Sequence, residues 1–208
     1  MDNNLYNIET DNEDIYFIPK EGYDSALIWL PGYADTAKSY IEDIPDERRP
    51  VPEKMKVIIL TAPKVGGTYS WDTSMTCTNT ERISKVINSE AKVVGGYSRV
   101  FLGGFSQGAM MTFLLGLTLK NIVLGGLICC AGSYYSFIRP ESDRKTLPII
   151  ICQGTQDNII SHKSAMQSYK HLFDEGYNVI YKTYDIKHEL IWAEYKDIKE
   201  FIVNILNN

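Results

Sequence analysis

The sequence RVFLGGFSQGAMM, at residues 99 to 111, gives the clearest indication of the fold. Its first part is an apolar run that predicts a strand, and its last part opens an apolar run that predicts a buried helix. Between them, Gly104 to Gly108 form a Gly-x-Ser-x-Gly turn, which in a strand–turn–helix setting is typical of a nucleophile elbow. Ser106 is therefore the candidate nucleophile. The alternative is a glycine-rich turn that only precedes a buried helix.

Short apolar runs alternate with helical patterns on both sides of this turn. The predicted strands are Ile15–Ile18, Ala26–Leu30, Val57–Thr61, Arg99–Gly103, Leu124–Cys130, Pro148–Cys152 and Asn178–Tyr184. The predicted helices are Thr36–Ile44, Thr80–Val94, Gln107–Leu119, Ser161–Glu175 and Leu190–Leu206. Several strands are apolar throughout, which is typical of strands covered on both faces. The alternation predicts an α/β fold with a mostly parallel central sheet flanked by helices, and the proline-rich segment Pro45–Pro52 predicts a surface loop.

Length and composition indicate one globular domain. The chain has 208 residues, of which 44% are hydrophobic and 23% charged, close to the average for soluble proteins. We predict a single domain over residues 1–208, with the acidic, Asn-rich residues 1–12 as a flexible N-terminus. The net charge of −5 disfavours a general nucleic-acid binder, which needs a basic face.

Membrane insertion is not expected. The most apolar region, residues 109–131, is interrupted by Lys120 and Asn121, so it predicts a helix followed by a strand rather than a membrane span. The first residues lack the basic start and apolar core of a secretory signal, and we expect a cytoplasmic protein. A transient contact with a membrane surface is compatible with this expectation.

The four cysteines are expected to be reduced thiols. Cys129 and Cys130 are adjacent in an apolar run, which predicts packed core residues. The spacing of Cys77, Cys129, Cys130 and Cys152 lacks the paired pattern with histidine that metal sites show. We therefore expect neither a metal nor an organic cofactor.

The general base has three candidates, because the chain contains three histidines. His171 falls inside the predicted helix Ser161–Glu175, and His162 lies at its start. His188 instead follows the strand that ends at Tyr184. Loops beyond the ends of parallel strands carry the active groups of α/β proteins. His188 is therefore the predicted base, and a surface histidine is the alternative.

The acid that orients the base is expected between Ser106 and His188, because folds with this elbow follow the chain order Ser, Asp or Glu, His. Asp157 lies in the loop after the predicted strand Pro148–Cys152. Asp143, in a charged loop, and Asp174, in a helix, are weaker candidates. Asp157 is predicted to orient the base, and a plain turn residue is the alternative.

An oxyanion hole needs two N–H donors, one after the nucleophile and one from the loop that follows an early strand. Gln107 supplies the first at the start of the predicted helix, where the helix dipole favours negative charge. The strand Ala26–Leu30 leads into PGYAD at residues 31–35, where Tyr33 is the natural second donor. Pro31 has no N–H to donate.

Five segments resemble one family in the same order along the chain. They are GGFSQG at 103–108, LPGYADT at 30–36, SWD at 70–72, QGTQD at 153–157 and TYD at 183–185 followed by His188. On these segments the chain resembles the acyl-protein thioesterase and carboxylesterase family of α/β hydrolases, also called the phospholipase/carboxylesterase family. Four residues depart from the family pattern: Pro31 and Gln153 replace histidines, Tyr33 a leucine and Ala34 a glycine. These departures alter the walls of the oxyanion loop.

The resemblance implies a serine hydrolase of the α/β-hydrolase fold acting on acylated proteins, lysophospholipids or simple acyl esters. Few residues separate the strands ending at Cys130 and beginning at Pro148, so a large cap domain is not expected. Such an open site would bind the acyl chain in an apolar groove. Trp71, Ile159, Ile160 and Tyr33 are candidate walls, and ordinary packing is the alternative.

Two rival functions remain open from the sequence alone. The altered oxyanion loop is compatible with a catalytically inactive protein that keeps the fold as a binding or structural subunit. A hydrolase of the dienelactone type or an acyltransferase would share the same nucleophile turn.

Overall fold

A computed structural model describes residues 5–44, 49–71 and 77–207, with the side chains of residues 77 and 78 left out. The strands are β1 (Tyr6–Asp11), β2 (Asp14–Pro19), β3 (Ser25–Leu30), β4 (Met55–Ile59), β5 (Lys64–Val65), β6 (Thr68–Tyr69), β7 (Val100–Phe105), β8 (Gly126–Cys130), β9 (Ile149–Gly154) and β10 (Val179–Tyr184). The helices are α1 (Cys77–Val94), α2 (Gln107–Thr118), α3 (His162–Asp174) and α4 (Trp192–Leu206), with 3₁₀ turns at Ala37–Tyr40, Tyr97–Arg99 and Arg144–Thr146.

Eight strands form the central sheet in the order β1-β2-β4-β3-β7-β8-β9-β10, and β5 and β6 form a separate hairpin. β1 and β2 pair antiparallel with their neighbours, whereas the other six strands of this sheet, β3, β4 and β7 to β10, run parallel to one another. The mostly parallel sheet predicted from the sequence is confirmed. Because parallel strands end at one edge, the loops after β3, β7, β8, β9 and β10 lie along the same side of the sheet.

Helices cover the sheet on both faces. Side chains from α1, α2 and α3 pack on one face, and α4 together with Ala37–Tyr40 packs on the other. Every residue of β3, β8 and β9 is buried, as expected for strands covered on both sides. Successive residues of a strand face opposite layers, so Cys129 packs with the first layer and Cys130 with the second.

The connection from β8 to β9 spans residues 131–148 and contains only the short turn Arg144–Thr146. No large cap domain is inserted there, as the sequence predicted. Among the described helices, none is both long and apolar enough to cross a membrane.

Two predicted segments differ from the structure. Residues 6–11, predicted to be flexible, form the edge strand β1, which pairs with β2 along its whole length. The predicted helix Thr36–Ile44 is only a 3₁₀ turn at Ala37–Tyr40. The backbone N–H groups here donate to carbonyls three residues earlier, Ser39 to Thr36, Ile41 to Lys38 and Asp43 to Tyr40, so the segment forms tight turns of the 3₁₀ type rather than an α-helix. Residues 45–48 of the predicted loop Pro45–Pro52 lie outside the described residues.

Candidate active site

Ser106 lies at the sharp turn between β7 and α2. Its backbone has φ 55° and ψ −116°, a conformation that non-glycine residues rarely adopt and that stores strain at functional sites. The Ser106 N–H donates to the carbonyl of Cys130 at the end of β8, over 2.8 Å. The turn is therefore fixed from the neighbouring strand, and it presents the hydroxyl at the sheet edge.

The two glycines of the motif are required by close backbone contacts. A Cβ on Gly108 would lie 1.9 Å from the Leu30 carbonyl oxygen, and one on Gly104 would lie 2.5 Å from the Gly108 carbonyl carbon. Distances under 3 Å cannot be relieved when the obstacle is backbone. The start of α2 thus packs directly against the end of β3, which brings the loop after β3 next to Ser106.

His188 lies in the loop after β10 and bridges two of the other candidates. Its Nε2 is 2.9 Å from the Ser106 hydroxyl oxygen, and its Nδ1 is 2.7 Å from the Asp157 Oδ2. The imidazole also packs on the Phe105 ring, with the ring centroids 4.8 Å apart. Because a carboxylate accepts, Nδ1 carries the proton in this arrangement, which leaves Nε2 free to accept from Ser106.

Asp157 is held by several donors. Its Oδ1 accepts the N–H groups of Ile159 and Ile160, each at 2.8 Å, and its Oδ2 accepts the Gln153 side-chain amide at 3.1 Å beside the contact with His188. The Asp157 side chain is fully buried beside the imidazole of His188. These contacts fix the orientation of the carboxylate, which in turn fixes the imidazole.

The weaker candidates from the sequence lie elsewhere. His162 stacks on Tyr181 and His171 on Tyr134, both from α3. The other two acids form ion pairs with basic neighbours, Asp143 with Arg144 and Asp174 with Lys170. Of the predicted groups, the structure brings together Ser106, His188 and Asp157 in one hydrogen-bonded chain.

The loop after β3, the predicted oxyanion loop at residues 31–35, lies against Ser106. A Cβ on Gly32 would be 3.4 Å from the Ser106 Cβ. Within the described ranges the Tyr33 N–H donates to no backbone carbonyl, and Gln107, the first residue of α2, has no intrahelical partner for its own N–H. Both N–H groups are thus available beside Ser106.

The side chains of Trp71 and Gln107 hold this loop in place. The Trp71 indole donates to the Pro31 carbonyl at 2.8 Å, and its backbone N–H donates to the Gln107 Oε1 at 2.9 Å. The Gln107 amide in turn donates to the Ser70 hydroxyl at 3.0 Å. Through these hydrogen bonds, the segment Ser70–Trp71 links the loop after β3 to the first residue of α2.

The residues predicted to form groove walls differ in how exposed their side chains are. Trp71 is only 1% exposed, so its ring offers no surface to a groove and instead supports the oxyanion loop. Ile160 is half-buried and packs against the core. Ile159 and Tyr33 are 68% and 62% exposed and offer apolar surface near the site. Asp72 of the resembling segment lies outside the described residues.

The chain matches a known protein family. The sequence model of the phospholipase/carboxylesterase family matches residues 67–206, two thirds of the chain. The chain belongs to this family. Membership confirms the α/β-hydrolase fold and the class of enzyme predicted from the sequence, a serine hydrolase of the thioesterase and carboxylesterase type.

Curated relatives include two fungal proteins named acyl-protein thioesterase 1. The Neurospora crassa protein is 24% identical over 88% of this chain and 87% of its own length. The Gibberella zeae protein is 29% identical, but that match spans only 50% of this chain and 47% of the relative. Among solved structures, Arabidopsis thaliana SOBER1 has a TM-score of 0.76 at 21% identity, covering 88% of this chain and 99% of that one. Zea mays acyl-protein thioesterase 2 has a TM-score of 0.71 at 20% identity, covering 93% and 98%.

Gln153 is a site residue that the sequence marks only by its departure from the family's histidine. It is fully buried, and its amide nitrogen donates both to Asp157 Oδ2 and to the Ile160 carbonyl, each at 3.1 Å. Gln153 thus contacts the same carboxylate oxygen that faces His188. The position of the departure, four residues before the predicted acid, was the available signal.

Replacing Gln153 by leucine is expected to lower kcat by about 10–100-fold with little change in KM. A hydrogen bond to a charged group contributes about 1.5–3 kcal/mol, and one factor of ten in rate corresponds to about 1.4 kcal/mol. Steady-state kinetics on an acyl ester measures the effect. Gln156→Leu is the matched control, because Gln156 is exposed in the same loop. An unchanged kcat in Gln153→Leu would show that Asp157 needs no support from this amide.

Proposed function

We propose that this member of the family hydrolyses acyl thioesters or carboxylic esters through a Ser106–His188–Asp157 triad and an acyl-enzyme. The observation that carries the proposal is the hydrogen-bonded chain from the Ser106 hydroxyl through the imidazole to Asp157, with both links shorter than 3 Å. The strained backbone at Ser106 supports it, because such strain is typical of an elbow that exposes a nucleophile.

The first half of the reaction transfers the acyl group to Ser106. His188 Nε2 accepts the hydroxyl proton as Oγ attacks the acyl carbonyl, and Asp157 stabilises the imidazolium that forms. The N–H groups of Tyr33 and Gln107 donate to the oxyanion of the tetrahedral intermediate. One such donor typically contributes 10²–10³-fold to kcat. The imidazolium then protonates the departing thiol or alcohol.

The second half releases the acid. A water molecule takes the place of the leaving group, and His188 removes its proton as the oxygen attacks the acyl-enzyme carbonyl. The same two N–H groups stabilise the second oxyanion, and collapse of this intermediate returns the proton to Ser106. Every step uses side chains and backbone groups of this chain, so the proposed reaction requires neither a metal nor a cofactor.

The shape of the site favours substrates with bulky leaving groups. The short connection at residues 131–148 inserts no large cap, and Tyr33 and Ile159 offer exposed apolar surface. We propose acylated proteins, lysophospholipids and small acyl esters as the substrate class, handled in the cytoplasm with transient contact to a membrane surface. The acyl-protein thioesterases among the curated relatives support the first of these.

A panel of acyl thioesters and oxygen esters of graded chain length tests the proposal. We expect turnover of both ester types, and a covalent acyl adduct on intact protein whose mass follows the chain length of the substrate. A fluorophosphonate probe should label the folded wild-type protein. If the folded protein neither turned over any ester nor reacted with the probe, the non-catalytic alternative would replace this proposal.

A further inference from the structure

Two cysteines and a glutamate meet on the face of the sheet covered by α4. The sulfur atoms of Cys130 and Cys152 and a carboxylate oxygen of Glu194 all lie within 4.8 Å of one another, and all three residues are buried. None of these side chains belongs to the triad or the oxyanion loop. The cluster is therefore a separate feature of the molecule.

Strand register brings the two thiols together. Cys130 pairs with Cys152 across the parallel strands β8 and β9, so both side chains point into the layer beneath α4. Glu194 approaches from the first turn of α4, where its Oε2 accepts the Ile191 N–H at 2.9 Å. Because the three residues come from separate elements, their spacing along the chain shows no metal motif.

The buried carboxyl lacks a cationic partner among the described residues. Glu194 is 1% exposed, and no ion pair joins it to a lysine, arginine or histidine in the described part of the chain. Burying a carboxylate without a compensating charge is costly, and buried charges are normally paired or coordinate metals. A cation between Glu194 and the two sulfurs would supply that compensation.

The donor set suits Zn²⁺. Zinc binds thiolates at about 2.3 Å and carboxylate oxygens at about 2.0–2.2 Å in tetrahedral sites, which places ligand atoms about 3.5–3.8 Å apart. The three donor atoms lie within 4.8 Å of one another, so shifts of about 1 Å or less per atom bring them to that spacing. The Tyr184 hydroxyl lies 3.7 Å from the Cys152 sulfur and is hydrogen-bonded to Asp197 at 2.6 Å.

We propose that Cys130, Cys152 and Glu194 bind one Zn²⁺ ion as a structural site. Binding breaks the two S–H bonds, forms two Zn–S bonds and releases both protons to solvent. The ion would crosslink β8 and β9, the two strands that support the triad. The Cys130 carbonyl accepts the Ser106 N–H, and the Cys152 carbonyl accepts the Ala131 N–H, both at 2.8 Å.

Metal titration of the full chain tests the site. The protein is depleted with a chelator, kept reduced with a phosphine, and titrated with Zn²⁺ or with Co²⁺ as a spectroscopic probe. We expect about one ion per chain, a near-ultraviolet sulfur-to-cobalt charge-transfer band, and a higher unfolding temperature with zinc. The double variant Cys130→Ser/Cys152→Ser should lose the band and weaken zinc binding at least about 100-fold, beyond what loss of an outer-shell partner causes.

Two further variants distinguish zinc binding at this cluster from metal uptake elsewhere on the protein. Glu194→Gln keeps an acceptor for the Ile191 N–H, so the start of α4 is preserved while the charge is lost, and we expect weaker binding with the cobalt–sulfur band retained. Cys129→Ser is the matched control, because Cys129 is equally buried but faces the opposite layer. The proposal is overturned if wild-type protein takes up no stoichiometric zinc, if Cys129→Ser loses the band, or if the band survives in the Cys130→Ser/Cys152→Ser double variant. A disulfide between the two thiols in phosphine-treated protein would also overturn it.

Discussion

Replacing Ser106 by alanine is expected to lower kcat/KM for acyl thioesters and esters by about 10⁴-fold or more. The change removes the oxygen that His188 Nε2 contacts at 2.9 Å and leaves the Cβ, the backbone turn and the bond to Cys130 in place. The proposed covalent intermediate can then no longer form. The oxyanion donors at Tyr33 and Gln107 remain, so a weak residual rate above the uncatalysed reaction is expected.

The comparison needs evidence that the variant is folded. The free energy of unfolding should change by less than about 1 kcal/mol, since no packed group is removed. Steady-state kinetics, thermal unfolding and fluorophosphonate labelling together measure the effect. Ser136→Ala is the control, because this serine is exposed in the loop after β8. A folded Ser106→Ala protein with wild-type turnover would exclude Ser106 as the nucleophile.

The central part of the fold is predictable because local and tertiary signals agree there. The run from Val100 to Phe105 is apolar throughout, Gly104 and Gly108 mark the turn, and α2 is apolar on every side. A sequence of this kind fits one arrangement, a buried strand followed by a buried helix. The six other predicted strands are also confirmed, and none of their ends differs from the prediction by more than two residues.

Elements at the margin of the sheet are harder to predict. β1 has the sequence YNIETD, and all its residues after Tyr6 are exposed, so no hydrophobic pattern indicates a strand. Its structure comes from pairing with β2, which is a tertiary effect. The hairpin of β5 and β6 has two residues in each strand, and its turn uses Gly66 and Gly67 at positive φ. Such short strands carry almost no periodic signal.

The residues of the site likewise differ in how well the sequence predicts them. Ser106, His188 and Asp157 follow strand ends in a known order, so chemistry and chain order indicate them before any contact is known. The supporting residues cannot be found so easily. Gln153 and Trp71 act through hydrogen bonds to groups that lie close only in the folded chain. Trp71 is one of the predicted groove walls, whereas its burial and its hydrogen bond to the Pro31 carbonyl show that it supports the loop after β3.

Asp157→Asn is expected to lower kcat by about 10⁴-fold, because it should enforce the wrong tautomer of His188. The N–H groups of Ile159 and Ile160 both point at Oδ1, so the amide oxygen of asparagine should remain there. The new NH₂ group then takes the place of Oδ2 and faces His188 Nδ1. An NH₂ donor requires Nδ1 without a proton, which moves the proton to Nε2 and prevents it from accepting the Ser106 proton.

Asp185→Asn is the matched control, since Asp185 is exposed in the loop between β10 and His188. Nitrogen NMR of the His188 ring reports the tautomer independently of the rate, and Asp157→Asn should move the proton from Nδ1 to Nε2. A variant with the altered tautomer and unchanged kcat would show that Asp157 does not act through the imidazole.

Combining Asp157→Asn with Gln153→Leu distinguishes support from an independent role. If Gln153 acts only by holding the Asp157 carboxylate, its removal should cost little once that carboxylate is gone, and the two effects should be far from additive. Full additivity would instead indicate that Gln153 contributes through the Ile160 carbonyl, which its amide also contacts at 3.1 Å. The kinetics of the double variant therefore show which of the two hydrogen bonds of the Gln153 amide contributes to the rate.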